Sequence, residues 1–267
     1  LNKLNMLSDR KFYSKSTSLQ NGKYVMFWEE RNVDWDIFGQ VIDNNGENVG
    51  GKFSIPSYTS GDQIRMSCTA LQNGNFVAVW CSSEQTGKWN VYARIFNSNG
   101  GEVVPEFKVN VQTIATVNPQ ITTLQNGDFV ITWHTGHQGG TSSCDLPSNI
   151  RGEFGCEVYA KAFNQNGIAL QTEFIVNTVT TWNQWFPQIA SLQNGGFVIA
   201  WNSGHTFGCY QVYAQVYDAN FNKKNGEFII SSDNNQAQEF ENVVSAISDL
   251  GNNVFGIVYN YASVFSW

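Results

Sequence analysis

Leu124-Gln125-Asn126-Gly127-Asp128-Phe129-Val130-Ile131-Thr132-Trp133 is one of four near-copies of a single phrase, a turn followed by an apolar run that ends in Trp. The others begin at Leu19, Leu71 and Leu192 and reach Trp28, Trp80 and Trp201. Self-similarity of this kind marks an array of supersecondary units. Each apolar run is too short for a helix. Its β-branched and aromatic residues, nearly uninterrupted, fit a strand covered on both faces. Asn-Gly tolerates the two positive φ values of a type I′ turn, so the residues before it are expected to pair with those after it in a hairpin.

Two further blocks follow each phrase. Ile37-Phe38-Gly39-Gln40-Val41, Val91-Tyr92-Ala93-Arg94-Ile95, Val158-Tyr159-Ala160-Lys161-Ala162 and Val212-Tyr213-Ala214-Gln215-Val216 read as a third strand. Asn-Gly signals at Asn45, Asn99 and Asn166 then lead to a short fourth strand such as Glu106-Phe107-Lys108-Val109-Asn110. Four antiparallel strands joined by tight turns, repeating at 52, 53 and 68 residues and then at about 58, describe the blade of a β-propeller. After the fourth copy, residues 242–246 and 254–259 read as degenerate first and second strands and 263–267 as a third, with no fourth remaining. Leu1-Asn2-Lys3-Leu4-Asn5 resembles the tail of a fourth strand, since Asn5 precedes Leu19 by 14 residues as Asn110 precedes Leu124. The expected fold is therefore all-β: one five-bladed β-propeller domain over 1–267, closed by an N-terminal strand that completes the last blade. Its blades are expected at about 10–55, 62–110, 115–177, 184–231 and 240–267 plus 1–5. Such closure removes free sheet edges.

The fourth copy, Pro187-Gln188-Ile189-Ala190-Ser191-Leu192-Gln193-Asn194-Gly195-Gly196-Phe197-Val198-Ile199-Ala200-Trp201, resembles the Leu-x-x-Gly-Gly-Phe-Val-Val-x-Trp repeats of secreted bacterial and protist β-propeller proteins. The resemblance covers four units well and the fifth poorly. Five-bladed closure is also similar to the tachylectin-like sugar-binding propellers, in architecture and not in motif. Fold analogy alone assigns no function.

A net charge of −7 makes nucleic-acid backbones poor partners. No apolar stretch approaches the roughly 20 residues of a membrane-crossing helix. With charged residues at 14%, the surface leans on Asn, Gln, Ser and Thr, as in extracellular repeat modules, and the expected setting is secreted or extracellular. Of five cysteines, Cys144 and Cys156 fall in the one long insertion, between Trp133 and Val158. A disulfide between them would staple a loop that has no core of its own; free thiols, or a link to Cys209, are the alternatives. Cys68 and Cys81 are expected to be small buried hydrophobes.

The topology sends nearly identical Asn-Gly turns to one face and variable loops to the other. Binding residues sit on diverse loops held by a rigid frame, so the variable face is the candidate site. Its expected ligand-binding residues are Trp35, Asp34, Asp36, Trp89, Gln85, His137, His205, Tyr210, Trp182 and Trp185, with Glu29, Glu30, Asp62, Gln63, His134 and Phe186 on the same loops. Aromatic platforms beside amides and carboxylates suit a saccharide. The competing reading, that Trp residues pack between blades, is assigned to the four that end the repeated phrase. The expectation is a non-catalytic extracellular module binding a glycan or an extracellular protein; the alternative is a structural module that self-associates.

Glycosidases need two carboxylates flanking the bond they cut, and the first-strand blocks that line the channel, such as Ser14-Lys15-Ser16-Thr17 and Met66-Ser67-Cys68-Thr69, carry none. No nucleophile elbow or nucleotide-binding glycine loop occurs either. The chain is therefore expected not to be an enzyme. No cofactor is expected. Asp34 and Asp36 could hold calcium, but the pair lacks the glycine-containing spacing of a calcium loop. His134, His137 and His205, in equivalent loops of adjacent units, could hold a transition metal, though correspondence by repeat explains their placement.

Overall fold

The computed structural model describes residues 11–83, 88–111, 114–135, 156–180, 183–206, 209–231, 243–251 and 254–260. Each copy of the repeat is a separate antiparallel sheet. β1 (Lys11–Ser18), β2 (Tyr24–Arg31), β3 (Trp35–Ile42) and β4 (Asn48–Ser54) lie in that order in the first sheet. β5 (Gln63–Ala70), β6 (Phe76–Ser82), β7 (Asn90–Phe96) and β8 (Glu102–Lys108) make the second. The third comprises β9 (Thr116–Thr123), β10 (Phe129–Thr135), β11 (Val158–Phe163) and β12 (Phe174–Ile175). The fourth comprises β13 (Gln184–Ser191), β14 (Phe197–Thr206), β15 (Cys209–Tyr217) and β16 (Lys223–Ile229), and β17 (Val243–Gly251) pairs with β18 (Val254–Asn260) beyond it. Among the described residues there is no helix. The first strands of successive sheets stand side by side, β1 with β5, β5 with β9, β9 with β13 and β13 with β17. That is the packing of propeller blades.

The core lies between blades. Phe27 of the first blade meets Phe76 of the second edge-on, with ring centroids 5.8 Å apart, and Leu19, Val25, Ile37 and Val41 join Met66, Trp80 and Phe96 in the same cluster. Every residue of β6 and of β10 is buried, as strands covered on both faces require. Trp80, Trp133 and Trp201 are fully buried and stack on Tyr92, Tyr159 and Tyr213 of the neighbouring strands. Outer strands are tied as well. A carboxylate oxygen of Glu106, Glu173 and Glu227 accepts the backbone N–H of Ser57, Val111 and Thr178 in the preceding unit, at 2.7, 2.7 and 2.6 Å.

The turn type differs from the expected one. Gly22, Gly74, Gly127 and Gly195 have φ of +80, +83, +89 and +84°, but the Asn before each is not left-handed. Each Gly N–H bonds the Leu carbonyl three residues back, and Leu19 N–H bonds the Lys23 carbonyl at 2.8 Å. This is a type I turn closed by a left-handed bulge residue, a three-residue loop. The Asn serves by its side chain, which accepts the N–H two residues on, at Lys23, Asn75, Asp128 and Gly196. Both segments expected to close the ring, 1–5 and 263–267, lie outside the described residues.

Candidate functional site

The first strand of each of the four full sheets carries a bulge at the same place. Tyr13, Arg65, Asn118 and Phe186 stand six residues before Leu19, Leu71, Leu124 and Leu192 and are left-handed, with φ of +43, +57, +54 and +51°. Pairing with the second strand slips there in all four. At the bulges of the second, third and fourth sheets, and at Val244 of β17, the residue that follows the buried Trp of the preceding blade reaches across the seam. Glu29 Oε1 accepts the Arg65 N–H at 2.5 Å, and the Cys81 sulfur accepts that of Asn118. His134 Nδ1 accepts the Phe186 N–H at 3.3 Å, and Asn202 Oδ1 accepts that of Val244 at 3.1 Å. One latch recurs at four seams with four different side chains.

Their electrostatics differ. Burial pushes the His134 imidazole down to about 3 and the Cys81 thiol up to about 12, so both are neutral at ordinary pH. Glu29 is 3% exposed. Burial raises its pKa, against the lowering pull of the Arg65 N–H and of the Arg65 charge.

A cavity of about 290 Å³ opens beside this first seam, lined by Tyr13, Glu29, Trp35, Asp62, Ile64 and Arg65. Its walls are pinned from several directions. Asp62 Oδ1 accepts the Trp35 N–H at 3.0 Å, and Asp34 Oδ2 accepts the Gly61 N–H at 3.1 Å, locking the loop between the two blades onto the start of β3. Arg65 Nη1 donates to Asn118 Oδ1 at 2.6 Å, across the next seam. Asp36 lies one residue further along β3; burial raises its pKa, reinforced by the charges of Asp34, Glu30 and Asp62, and its Oδ1 is buried with no hydrogen-bond partner. Glu30 pairs with Lys52 at 3.1 Å. Two carboxylates, two aromatic rings and a guanidinium thus meet in one concavity. That set can exchange a proton with a bound polyol while its rings cover an apolar sugar face.

Of the expected site residues, Trp35 lines the cavity, with Asp34 and Asp36 beside it on β3. Trp89 is half-buried, and its carbonyl accepts the Thr116 N–H at 2.9 Å. Trp185 is a strand residue of β13, only 8% exposed and edge-on to Phe186, which removes it as an exposed platform. Gln85, His137, Trp182 and Cys144 lie outside the described residues. So do the side chains of His205 and Tyr210, whose backbones belong to β14 and β15. Cys156 is buried, while Cys68 and Cys81 are free thiols. Tyr13, Ile64 and Arg65 escaped the sequence reading because they belong to a strand and not to a loop. Among the described residues no group of three or more His, Cys, Asp or Glu is placed to hold a metal.

No family profile matches the chain, and no curated protein matches it. Solved structures do. The α-L-arabinofuranosidase Arb93A of Fusarium graminearum aligns at 11% identity and a TM-score of 0.55, over 84% of this chain and 67% of its own. The Penicillium chrysogenum α-L-arabinanase complexed with arabinobiose aligns at 12% and 0.54, over 84% of this chain and 68% of its own. The Hadza microbial sialidase Hz136 aligns at 11% and 0.56, over 85% of this chain and 47% of its own, so this chain spans about half of that protein. At such identities the likeness establishes the propeller fold.

It also overturns an expectation. The non-catalytic binding module and the exclusion of enzyme activity are both corrected, because three solved structures that share this fold are an arabinofuranosidase, an arabinanase and a sialidase. The exclusion rested on the first strands carrying no carboxylate. Glu29 instead lines the cavity from the end of the second strand, and Asp62 from the loop before β5.

Proposed function

We propose that this chain forms the catalytic propeller, or part of it, of an enzyme that hydrolyses glycosidic bonds at the cavity between the first two blades. The latch comparison carries the reading. At three seams the acceptor facing the next blade is uncharged: Cys81, His134 and Asn202. The fold therefore has no need of a carboxylate there, and burying one costs free energy. Glu29 stands at a seam beside which a cavity opens that holds a second carboxylate. A carboxyl group raised by burial suits the general acid that protonates a leaving oxygen, and Asp62 then takes the role of base or nucleophile. Trp35 and Tyr13 offer rings to the sugar. The fold shared with arabinan- and sialoside-cleaving enzymes supports the reading. Closure into five blades, an extracellular setting and a glycan partner belong to the same proposal.

The test is hydrolysis of a panel of aryl glycosides and soluble polysaccharides by the wild type, Glu29→Gln and Asp62→Asn. Each variant should lose about 10²–10⁴-fold in turnover, the usual share of a positioned acid or base, with little change in melting temperature. A wild type that cleaves nothing in the panel sinks the proposal.

A further inference from the structure

The four bulge residues pose a problem that the backbone alone does not answer. A left-handed residue is best filled by Gly, and next by Asn. Asn118 meets that preference; Tyr13, Arg65 and Phe186 do not. The scaffold imposes the strain at the same place in four blades, and residues that aggravate it persist in three. Such strain gathers at functional sites. Phe186 has a packing reason, being half-buried and edge-on to His134 at 5.5 Å. Tyr13, at 73% exposed, has none among the described residues, and Arg65 is exposed too. Both line the cavity that holds Glu29, and Arg65 is steadied from behind by Asn118. In the fifth unit the residue whose N–H makes the latch, Val244, is not left-handed and is buried.

We infer that Tyr13, Arg65 and Asn118 are the specificity-determining residues of this site, reading the saccharide at the rim of the cavity while Glu29 and Asp62 act on its bond. The inference rests on the hydrolase reading for its substrate class. Tyr13, beside Trp35, covers one apolar face of a sugar ring. The Arg65 fork, oriented by Asn118, takes the oxygens along its edge. A tight and variable position on a rigid strand can set ranking among sugars without altering the chemistry.

The prediction opposes stability to function, which a merely structural role would not do. Tyr13→Gly and Arg65→Gly relieve the left-handed strain, so the melting temperature should hold or rise. In the same proteins KM for the preferred aryl glycoside should rise by about tenfold or more, roughly 1.4 kcal/mol, and the ranking across the panel should change while kcat falls less. Asn118→Gly should weaken the ranking through Arg65. Phe186→Gly is the internal control, expected to lose stability and keep the ranking. Glycine variants that lose stability and leave the ranking untouched would overturn the inference. Should the wild type cleave nothing, the hydrolase reading fails separately. Glu29→Gln protein is then run by affinity electrophoresis through arabinan and other soluble polysaccharides. Retardation abolished by Tyr13→Gly or Arg65→Gly upholds the role of the rim, and no retardation, or unchanged retardation, overturns it.

Discussion

The seam between blades one and two and the seam between blades three and four are built to one plan and put to two uses. In each, the residue after the buried Trp accepts the N–H of a left-handed bulge residue on the next blade. In the later seam the acceptor is a neutral imidazole sealed against Phe186. In the earlier one it is a carboxylate, and the space around it is left as a cavity. A repeat protein thus contains its own control: what both seams share is scaffold, and what distinguishes them is the candidate chemistry.

The widest separation is expected from the two acceptors themselves. Glu29→Gln keeps an amide oxygen for the Arg65 N–H, so stability should hold while turnover collapses by the factors given above. His134→Leu does the reverse. It leaves the part-buried N–H of Phe186 without its acceptor, which costs about 1 kcal/mol, and glycoside hydrolysis should continue. Thermal unfolding and steady-state kinetics on both variants check the pair, and a reversal of the two outcomes would destroy the comparison.

Acid response sharpens it next. The folded pKa of His134 lies near 3 against 6.5 for the free side chain, so the unfolded chain binds the extra proton between these values. Stability contributed by the neutral imidazole is present above pH 6.5 and is lost as pH falls toward 3. Replacing His134 by Asn, the latch residue of the next seam, should flatten this part of the pH–stability curve, measured by denaturant unfolding from pH 4 to 7.

How much of this was legible beforehand follows from range. Strands, hairpins and buried Trp residues depend on neighbours within about ten positions, and the repeated phrase displays them four times. The turn type was misread because Asn-Gly serves two hairpin geometries, and loop length, not the dipeptide, selects between them. In the sequence Glu29 is one acid among several on a loop, because its burial depends on Arg65, 36 residues ahead on the next blade. Two columns of the internal alignment held the signal. The residue after Trp reads Glu, Cys, His, Asn, with a single acid, and the residue six before Leu reads Tyr, Arg, Asn, Phe amid otherwise similar neighbours. Trp185 misled because it stands next to that second column, inside a strand, where an aromatic ring packs.

A smaller effect is expected at the outer rim of the later seam. Glu157 carries a pKa raised to about 7, chiefly by burial and further by the charge of Glu227, while its hydrogen bond with Asn177 pulls the other way. The folded protein therefore holds a proton that the unfolded chain releases near 4.5. Its stabilising share is full below pH 4.5 and is lost as pH rises to about 7, the opposite slope to that of His134. Only partly buried, the group is worth about 1 kcal/mol after screening, or about 2–4 °C in melting temperature. Glu157→Gln should remove that slope between pH 5 and 8, and a slope unchanged in the variant would assign it to another group.

The smallest effect belongs to the far face, where the comparison predicts silence. Asn126 is exposed in the turn between β9 and β10, and its side chain bonds the Asp128 N–H at 3.0 Å. Because the type I geometry leaves Asn126 outside the left-handed region, alanine fits the backbone there, and losing this solvent-exposed bond and the one its Nδ2 donates to Asp128 Oδ2 should cost about 0.5–1 kcal/mol. The turn lies at the opposite end of the strands from the bulges, so Asn126→Ala should leave kcat/KM and the substrate ranking within error of the wild type. The same holds for Asn73→Ala between β5 and β6, whose bond to Asn75 is equivalent. If either substitution shifts the ranking, the two faces are coupled through the strands. The cavity at the first seam would then not be the independent site that separates scaffold from chemistry.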